Sequence, residues 1–242
     1  MTVVLLHGFT HTGASWAPVI EALGERYSAL APDIRGHGSA SEREPVTLGA
    51  VIDDIGSLVR GRSTLVGYSM GGRIALHVAL ALGDRVERVV LLGASPGIAE
   101  PAERAARRAA DERLAEDLES MSIDEFANRW ATNPLLAGQP ASVRAIVHED
   151  RLRNTPRGLA RALRGLGTGA LPSLWDRLGE LRLPVSLVVG ERDHKFRAVA
   201  TRMAPLMPDA DTVVVAGVGH GVHLEAPARV AAVIADWPGS PT

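Results

Sequence analysis

Ser69 stands two residues from a glycine on either side, in Gly67-Tyr68-Ser69-Met70-Gly71. The apolar run Thr64-Leu65-Val66 leads into this turn, and an apolar helical stretch, Gly71 to Leu82, leaves it. A serine on such a strand-to-helix elbow is held in a strained conformation, its hydroxyl lifted above a sheet at a helix N-terminus; the glycines let other backbone approach. A hydroxyl is a weak nucleophile or base at its ordinary pKa. It needs a histidine to take its proton and an acid to orient that histidine. Two later loops offer them. Gly190-Glu191-Arg192-Asp193 follows the apolar run Val185 to Val189, and Gly217-Val218-Gly219-His220-Gly221 follows Asp211 to Val215. Ser69, Asp193 and His220 thus occur in the chain order that accompanies this kind of elbow. Glu191, nearer the strand end, is the competing acid and also has a structural reading. The matching oxyanion donors are the N–H after the serine and one from the loop after the first strand, Met70 and Phe9.

The remaining histidines have quieter readings. His7 braces the loop that carries Phe9, and His37, in Arg35-Gly36-His37-Gly38, is a structural loop residue. His11 is placed equally well at a pocket mouth or in structure. His77 and His148 fall on helix faces. His194 and His223 adjoin the acid and the base and read as supporting or surface residues.

Positioning these groups takes an α/β framework. Short apolar runs without alternation, each followed by a turn signal, suit strands buried on both faces of a parallel sheet. They are Val3 to Leu6, Tyr27 to Ala31, Ser63 to Val66, Val86 to Leu92, Val185 to Val189 and Asp211 to Val215. Helical stretches alternate with them: Ser15 to Glu25, Leu48 to Arg60, Gly71 to Leu82, His194 to Met207 and Pro227 to Trp237. The alternation predicts a mostly parallel central sheet with right-handed crossovers. It breaks between about Gly97 and Leu183, where helices are expected over Glu100 to Glu119, Ile123 to Thr132, Ala141 to Arg153 and Pro156 to Leu166. We therefore expect a core of residues 1–96 and 184–242 with a helical lid, residues 97–183, inserted over the sheet's C-terminal edge. A short tail, Pro238 to Thr242, closes the chain.

Composition narrows the classes. The chain has 242 residues, 46% hydrophobic and 22% charged, enough for one sizeable core and far from disorder. A net charge of −2 gives no reason to expect nucleic acid or a polybasic membrane surface as partner. No cysteine is present, which excludes disulfides and thiolate sites. No metal-ligand spacing or phosphate loop appears, and Gly165-Leu-Gly-Thr-Gly169 lacks the preceding strand of a nucleotide site. No metal or cofactor is expected. The apolar runs are too short to span a membrane, and the first residues read as a strand rather than a signal peptide, so a cytoplasmic location is expected. Lys195 is the only lysine among 26 basic residues, a bias most simply ascribed to a GC-rich genome. The oligomeric state is left open.

Several motifs resemble the α/β-hydrolase superfamily: Leu6-His7-Gly8-Phe9, Gly67-Tyr-Ser-Met-Gly-Gly-Arg73, Gly190-Glu-Arg-Asp-His-Lys-Phe196 and Gly219-His-Gly-Val-His-Leu-Glu225. The insertion makes the resemblance narrower. Ala94-Ser-Pro-Gly97, Arg104-Ala-Ala-Arg-Arg108 with Asp111, Trp130 with Pro134-Leu135, and Leu163 through Trp175 are similar to the 2-succinyl-6-hydroxy-2,4-cyclohexadiene-1-carboxylate synthases of menaquinone biosynthesis. The resemblance implies an α/β-hydrolase fold. It also implies a Ser-His-Asp triad that eliminates pyruvate from 2-succinyl-5-enolpyruvyl-6-hydroxy-3-cyclohexene-1-carboxylate. That substrate carries three carboxylates, and guanidinium forks pair carboxylates bidentately. By motif position Arg73, Arg107 and Arg151 are the expected carboxylate partners, with Trp130 and Tyr68 as pocket wall and hydroxyl. Arg108 and Arg153 are the near-register alternatives, and a solvated helix face is the plain reading of each inserted arginine. The first two strands of the usual sheet are missing, so about six strands are expected. The triad alone does not separate elimination from a carboxylesterase, thioesterase or C–C-bond hydrolase. It also fits a natural-product enzyme on the same scaffold. A non-catalytic binding member is disfavoured by the intact triad.

Overall fold

The computed structural model describes residues 1–59 and 61–236. Arg60, Trp237 and the expected tail Pro238 to Thr242 lie outside the described residues. Among the described residues six strands form one parallel sheet: β1 (Thr2–Leu6), β2 (Ser28–Leu30), β3 (Ser63–Tyr68), β4 (Val86–Leu92), β5 (Val185–Gly190) and β6 (Ala210–Val215), in the order β2-β1-β3-β4-β5-β6. The helices before the long β4–β5 connection are α1 (Ala17–Leu23), α2 (Leu48–Leu58) and α3 (Met70–Leu82). Within that connection lie α4 (Pro101–Glu119), α5 (Ile123–Ala131), α6 (Ala141–Arg151) and α7 (Pro156–Leu166). The chain ends through α8 (His194–Met203), α9 (Val222–Glu225) and α10 (Pro227–Ala235).

Strand pleating divides the core in two. Val4, Leu6, Leu65, Val89, Leu91 and Leu187 point to the face covered by α2, α3 and α8. Val3, Leu5, Val66, Val90, Leu92 and Val188 point to the opposite face, covered by α1 and α10. Burial on both faces is what the unalternated apolar runs require. β6, an edge strand, is more exposed.

Local chemistry trims several predicted elements. The stretch from Ser15 begins as a 3-10 turn, Gly13–Trp16, before α1, and α1 stops at Gly24, whose φ of 69° a side chain resists. The α8 stretch ends at Met203 and continues as a 3-10 turn over Ala204–Leu206, since Pro205 has no N–H to donate. In the connection, Ser122 and Glu125 form a reciprocal capping box on α5, and the Thr155 side chain caps α7 ahead of Pro156. A separate apolar cluster, with Leu118, Phe126, Leu159 and Leu163 at its centre, holds these helices together.

Candidate active site

From β1 the chain crosses to β2 on one side and later returns to β3 on the other, so the strand order reverses at β1. In open α/β sheets the loops beyond the C-terminal strand ends at such a point form a crevice. Phe9 follows β1 there, and Ser69 follows β3.

The elbow is strained as expected. Ser69 sits at φ 52° and ψ −108°, and its N–H donates to Leu92 O at 2.8 Å. A Cβ on Gly71 would lie 2.2 Å from Leu6 O, so the helix reaches this depth only with glycine there. His220 Nε2 lies 3.3 Å from Ser69 Oγ, and its Nδ1 lies 2.6 Å from Asp193 Oδ2. In that geometry Nδ1–H donates to the carboxylate and Nε2 is free to accept the serine proton. The Asp193 carboxylate also accepts from Phe196 N–H at 3.2 Å, and the Phe196 ring stacks on the imidazole at 4.6 Å between centroids. Glu191 is engaged elsewhere: its carboxylate accepts from Gly217 N–H at 2.8 Å. Of the two candidate acids, the structure brings Asp193 to His220.

A cavity of about 1120 Å³ opens beside Ser69 and His220. Phe9 and Met70 line it, and Met70 opens α3, where the first helical N–H groups have no intrahelical acceptor. Helices α4, α5 and α7 contribute to its far wall through Arg107, Trp130 and Leu163.

Arg73 reaches this cavity from the first turn of α3. It is 6% exposed, its Nε has no partner, and Nη2 makes only a long 3.5 Å contact with Leu166 O. Burial, with the nearby Arg107 cation adding to it, pulls its pKa down to about 10. A buried, unanswered guanidinium calls for an anion. Arg107 lines the same cavity and is oriented by Asp111, which accepts from its Nε at 2.8 Å. Trp130 packs edge-on against Phe9 at 5.4 Å.

Two residues expected at the pocket, Tyr68 as wall and hydroxyl and Arg151 as a carboxylate partner, lie elsewhere. Tyr68 alternates to the opposite sheet face from the cavity. It is buried against His223 at 4.3 Å and His220 at 5.1 Å between centroids, and burial pushes its phenol well above the usual range. Arg151, 3% exposed on the last turn of α6, turns to the loop after β1 and donates from Nε to Thr10 Oγ1 at 3.3 Å. Neither lines the cavity. Cations the motif reading did not single out take part in its rim instead: Arg192, Lys195 and Arg202, the last two on α8, with Arg202 over the Trp175 ring at 4.5 Å. Their signal in the sequence was weak, because surface and rim cations share the same helical spacing.

His7 accepts from Ile34 N–H through Nε2 at 2.9 Å and lies 2.9 Å from Gly8 O through Nδ1, which fixes the loop before Phe9. Among the described residues no cluster of three or more His, Asp or Glu could hold a metal. No described helix is long and apolar enough to cross a membrane.

Comparison with known proteins gives a consistent set of relatives. A model of the alpha/beta hydrolase family matches residues 3–233. The chain is 33% identical to the putative 2-succinyl-6-hydroxy-2,4-cyclohexadiene-1-carboxylate synthase of Bacillus subtilis (strain 168), covering 97% of this chain and 89% of that protein. It is also 33% identical to the synthase of the same name from Salmonella newport (strain SL254), over 95% and 90% of the two chains. Among solved structures, MenH from S. aureus superposes with a TM-score of 0.91 at 32% identity, over 97% of this chain and 91% of that one. A malate-bound thermophilic esterase from Thermogutta terrifontis superposes with a TM-score of 0.75 at 28% identity, over 98% and 89%.

Proposed function

This chain belongs to the alpha/beta hydrolase family, and on that premise we propose that it is a 2-succinyl-6-hydroxy-2,4-cyclohexadiene-1-carboxylate synthase, a lyase of menaquinone biosynthesis. The single observation that carries the reading is Arg73: a buried guanidinium with an unpartnered Nε in the same cavity as Ser69. A neutral ester gives such a group nothing to pair with, whereas a polycarboxylate does.

The names of substrate and product set the chemistry. A 3-ene bearing a 5-enolpyruvyl group becomes a 2,4-diene, so a ring proton beside the succinyl carbonyl and the enolpyruvyl oxygen both leave. In our reading Ser69 Oγ takes that proton while its own passes to His220 Nε2, and Asp193 holds the imidazole in the required tautomer. The charge that develops on the succinyl carbonyl oxygen meets the Phe9 and Met70 N–H groups. Its collapse shifts the double bonds and breaks the C–O bond. The enolpyruvate accepts a proton and leaves as pyruvate, and no acyl-enzyme forms.

Arg73 and Arg107 receive carboxylates, and Trp130 with Phe9 forms an apolar wall. Residues 97–183 act as a lid on a core of residues 1–96 and 184–242. Tyr68 and Arg151 serve from behind the cavity wall, by shaping the loops. The enzyme works in the cytoplasm on a small polycarboxylate.

The test supplies purified protein with freshly prepared enolpyruvyl-cyclohexene substrate, follows pyruvate release, and runs p-nitrophenyl acetate beside it. Rapid pyruvate release with little ester turnover, lost in Ser69→Ala and Arg73→Ala, is expected. Fast ester turnover without pyruvate overturns the lyase reading in favour of a serine hydrolase.

A further inference from the structure

We propose that Glu225 is a positioning residue, which sets His220 against Asp193 by holding the two loops that carry them. The proposal rests on the reading of Ser69, His220 and Asp193 as the reacting groups.

The Glu225 side chain is 2% exposed. Its Oε2 accepts from Gly219 N–H at 2.9 Å, and its Oε1 accepts from Gly221 N–H at 3.2 Å. The peptide N–H groups immediately before and immediately after His220 therefore end on one carboxylate. Arg192, the residue before Asp193, donates from Nη2 to the same Oε2 at 3.2 Å. The Arg192 N–H in turn donates to Val218 O at 2.9 Å. One buried anion thus ties the Arg192 side chain of the acid's loop to the main chain of the base's loop, beside the separate main-chain bond from Arg192 N–H to Val218 O.

Space and charge point the same way. A Cβ on Gly219 would stand 3.2 Å from Glu225 Oε1, so the carboxylate lies hard against this loop. Burying a carboxylate is costly unless donors answer it, and here three converge. A residue needed only to fill this volume would be apolar. Glu225 does not itself line the cavity, whereas Arg192, Gly219 and His220 do. It therefore acts through His220, not on substrate.

The decisive variant is Glu225→Gln. An amide has one acceptor and one donor group, so in either orientation its NH2 faces a peptide N–H, of Gly219 or of Gly221. The charge that Arg192 pairs is also gone. Two readouts separate positioning from mere packing: the split between kcat and KM for pyruvate release, and the far-downfield proton NMR signal of the His220–Asp193 hydrogen bond. We expect kcat to fall on the order of tenfold to a hundredfold, as for a misplaced catalytic group, with KM changed by less than about twofold. We expect the downfield proton to move or broaden while the protein still unfolds cooperatively. A full kcat with an unmoved proton overturns the proposal, and so does a wild type without that proton.

If Glu225→Gln does not fold, Arg192→Met cuts the side-chain link between the loops and leaves both peptide bonds to Glu225. A smaller change of the same sign in the proton signal supports the proposal, and none overturns it. The NMR signal does not depend on the substrate. A wild type that releases no pyruvate, but whose downfield proton responds to Glu225→Gln, refutes the substrate assignment alone.

Discussion

The Asp150 carboxylate receives both the N–H and the hydroxyl of Thr12, at 3.0 Å and 2.5 Å, across 138 residues of sequence. Asp150 belongs to α6, in the connection between β4 and β5, and Thr12 to the loop after β1 that also carries Phe9. Asn154, just beyond α6, adds a bond from Nδ2 to Thr10 O at 2.9 Å. Thr10 holds φ at 70°, a conformation that costs a threonine free energy and persists only where neighbours impose it. The end of α6 is what imposes it.

Releasing that hold should damage catalysis as well as stability. Asp150→Ala leaves two buried donors of Thr12 unanswered, and we expect a loss of about 1–3 kcal/mol in unfolding free energy. Because the same loop aims the Phe9 N–H, kcat should fall with KM little altered. Chemical denaturation and steady-state pyruvate release measure the two effects. An unaltered kcat in a folded variant would remove Asp150 from the positioning of Phe9.

Ser69→Ala and Arg73→Lys should fail in different ways. Removing the hydroxyl abolishes the base, and we expect kcat to drop by roughly three orders of magnitude or more. Arg73→Lys keeps the charge but loses the fork, so KM for the polycarboxylate should rise by about tenfold or more. Saturation curves for both variants read the difference directly.

Gly93→Ala tests how tightly the imidazole is seated. Gly93 has a φ of 53°, and a Cβ there would meet the His220 ring at 2.8 Å. The methyl group should push His220 off Ser69 and lower kcat by about a hundredfold. Far-ultraviolet circular dichroism should show secondary structure largely retained. Wild-type turnover in this variant would mean the ring has slack to spare.

Acid should destabilise the fold well above the carboxylate range. Burial lowers the pKa of His7 to about 4 and of His37 to about 3, from an ordinary value near 6.5. The unfolded chain therefore binds more protons between those values, so stability is complete above about pH 6.5 and falls as pH drops towards 4. The slope is about 1.4 kcal/mol per pH unit for each histidine fully in that window. Protonating His7 Nε2 also destroys the acceptor for Ile34 N–H. Urea unfolding at pH 7.5, 6.0 and 4.5 checks it, and a flat profile across that range contradicts neutral burial of both rings.

Much of this protein was legible in its sequence because the relevant forces are local or periodic. Unalternated runs such as Val3 to Leu6 and Val185 to Val189 identify strands buried on both faces, since no polar side chain has to be kept in water. The glycines around Ser69 record a backbone approach that leaves no room for a Cβ. The loops after β5 and β6 announce Asp193 and His220 because each follows a strand end. The sequence favoured Asp193 but left Glu191, two residues away on the same loop, as a competitor; the folded loop turns the Asp193 carboxylate to His220 and the Glu191 carboxylate to Gly217. Spacing could not tell which arginines face inward. Arg73 and Arg107 reach the cavity while Arg151 turns to Thr10, and that is decided by how α6 packs on the loop after β1, a contact between segments about 140 residues apart. Side-chain type and local period are written in the chain, but direction across a tertiary interface depends on partners the local sequence does not contain.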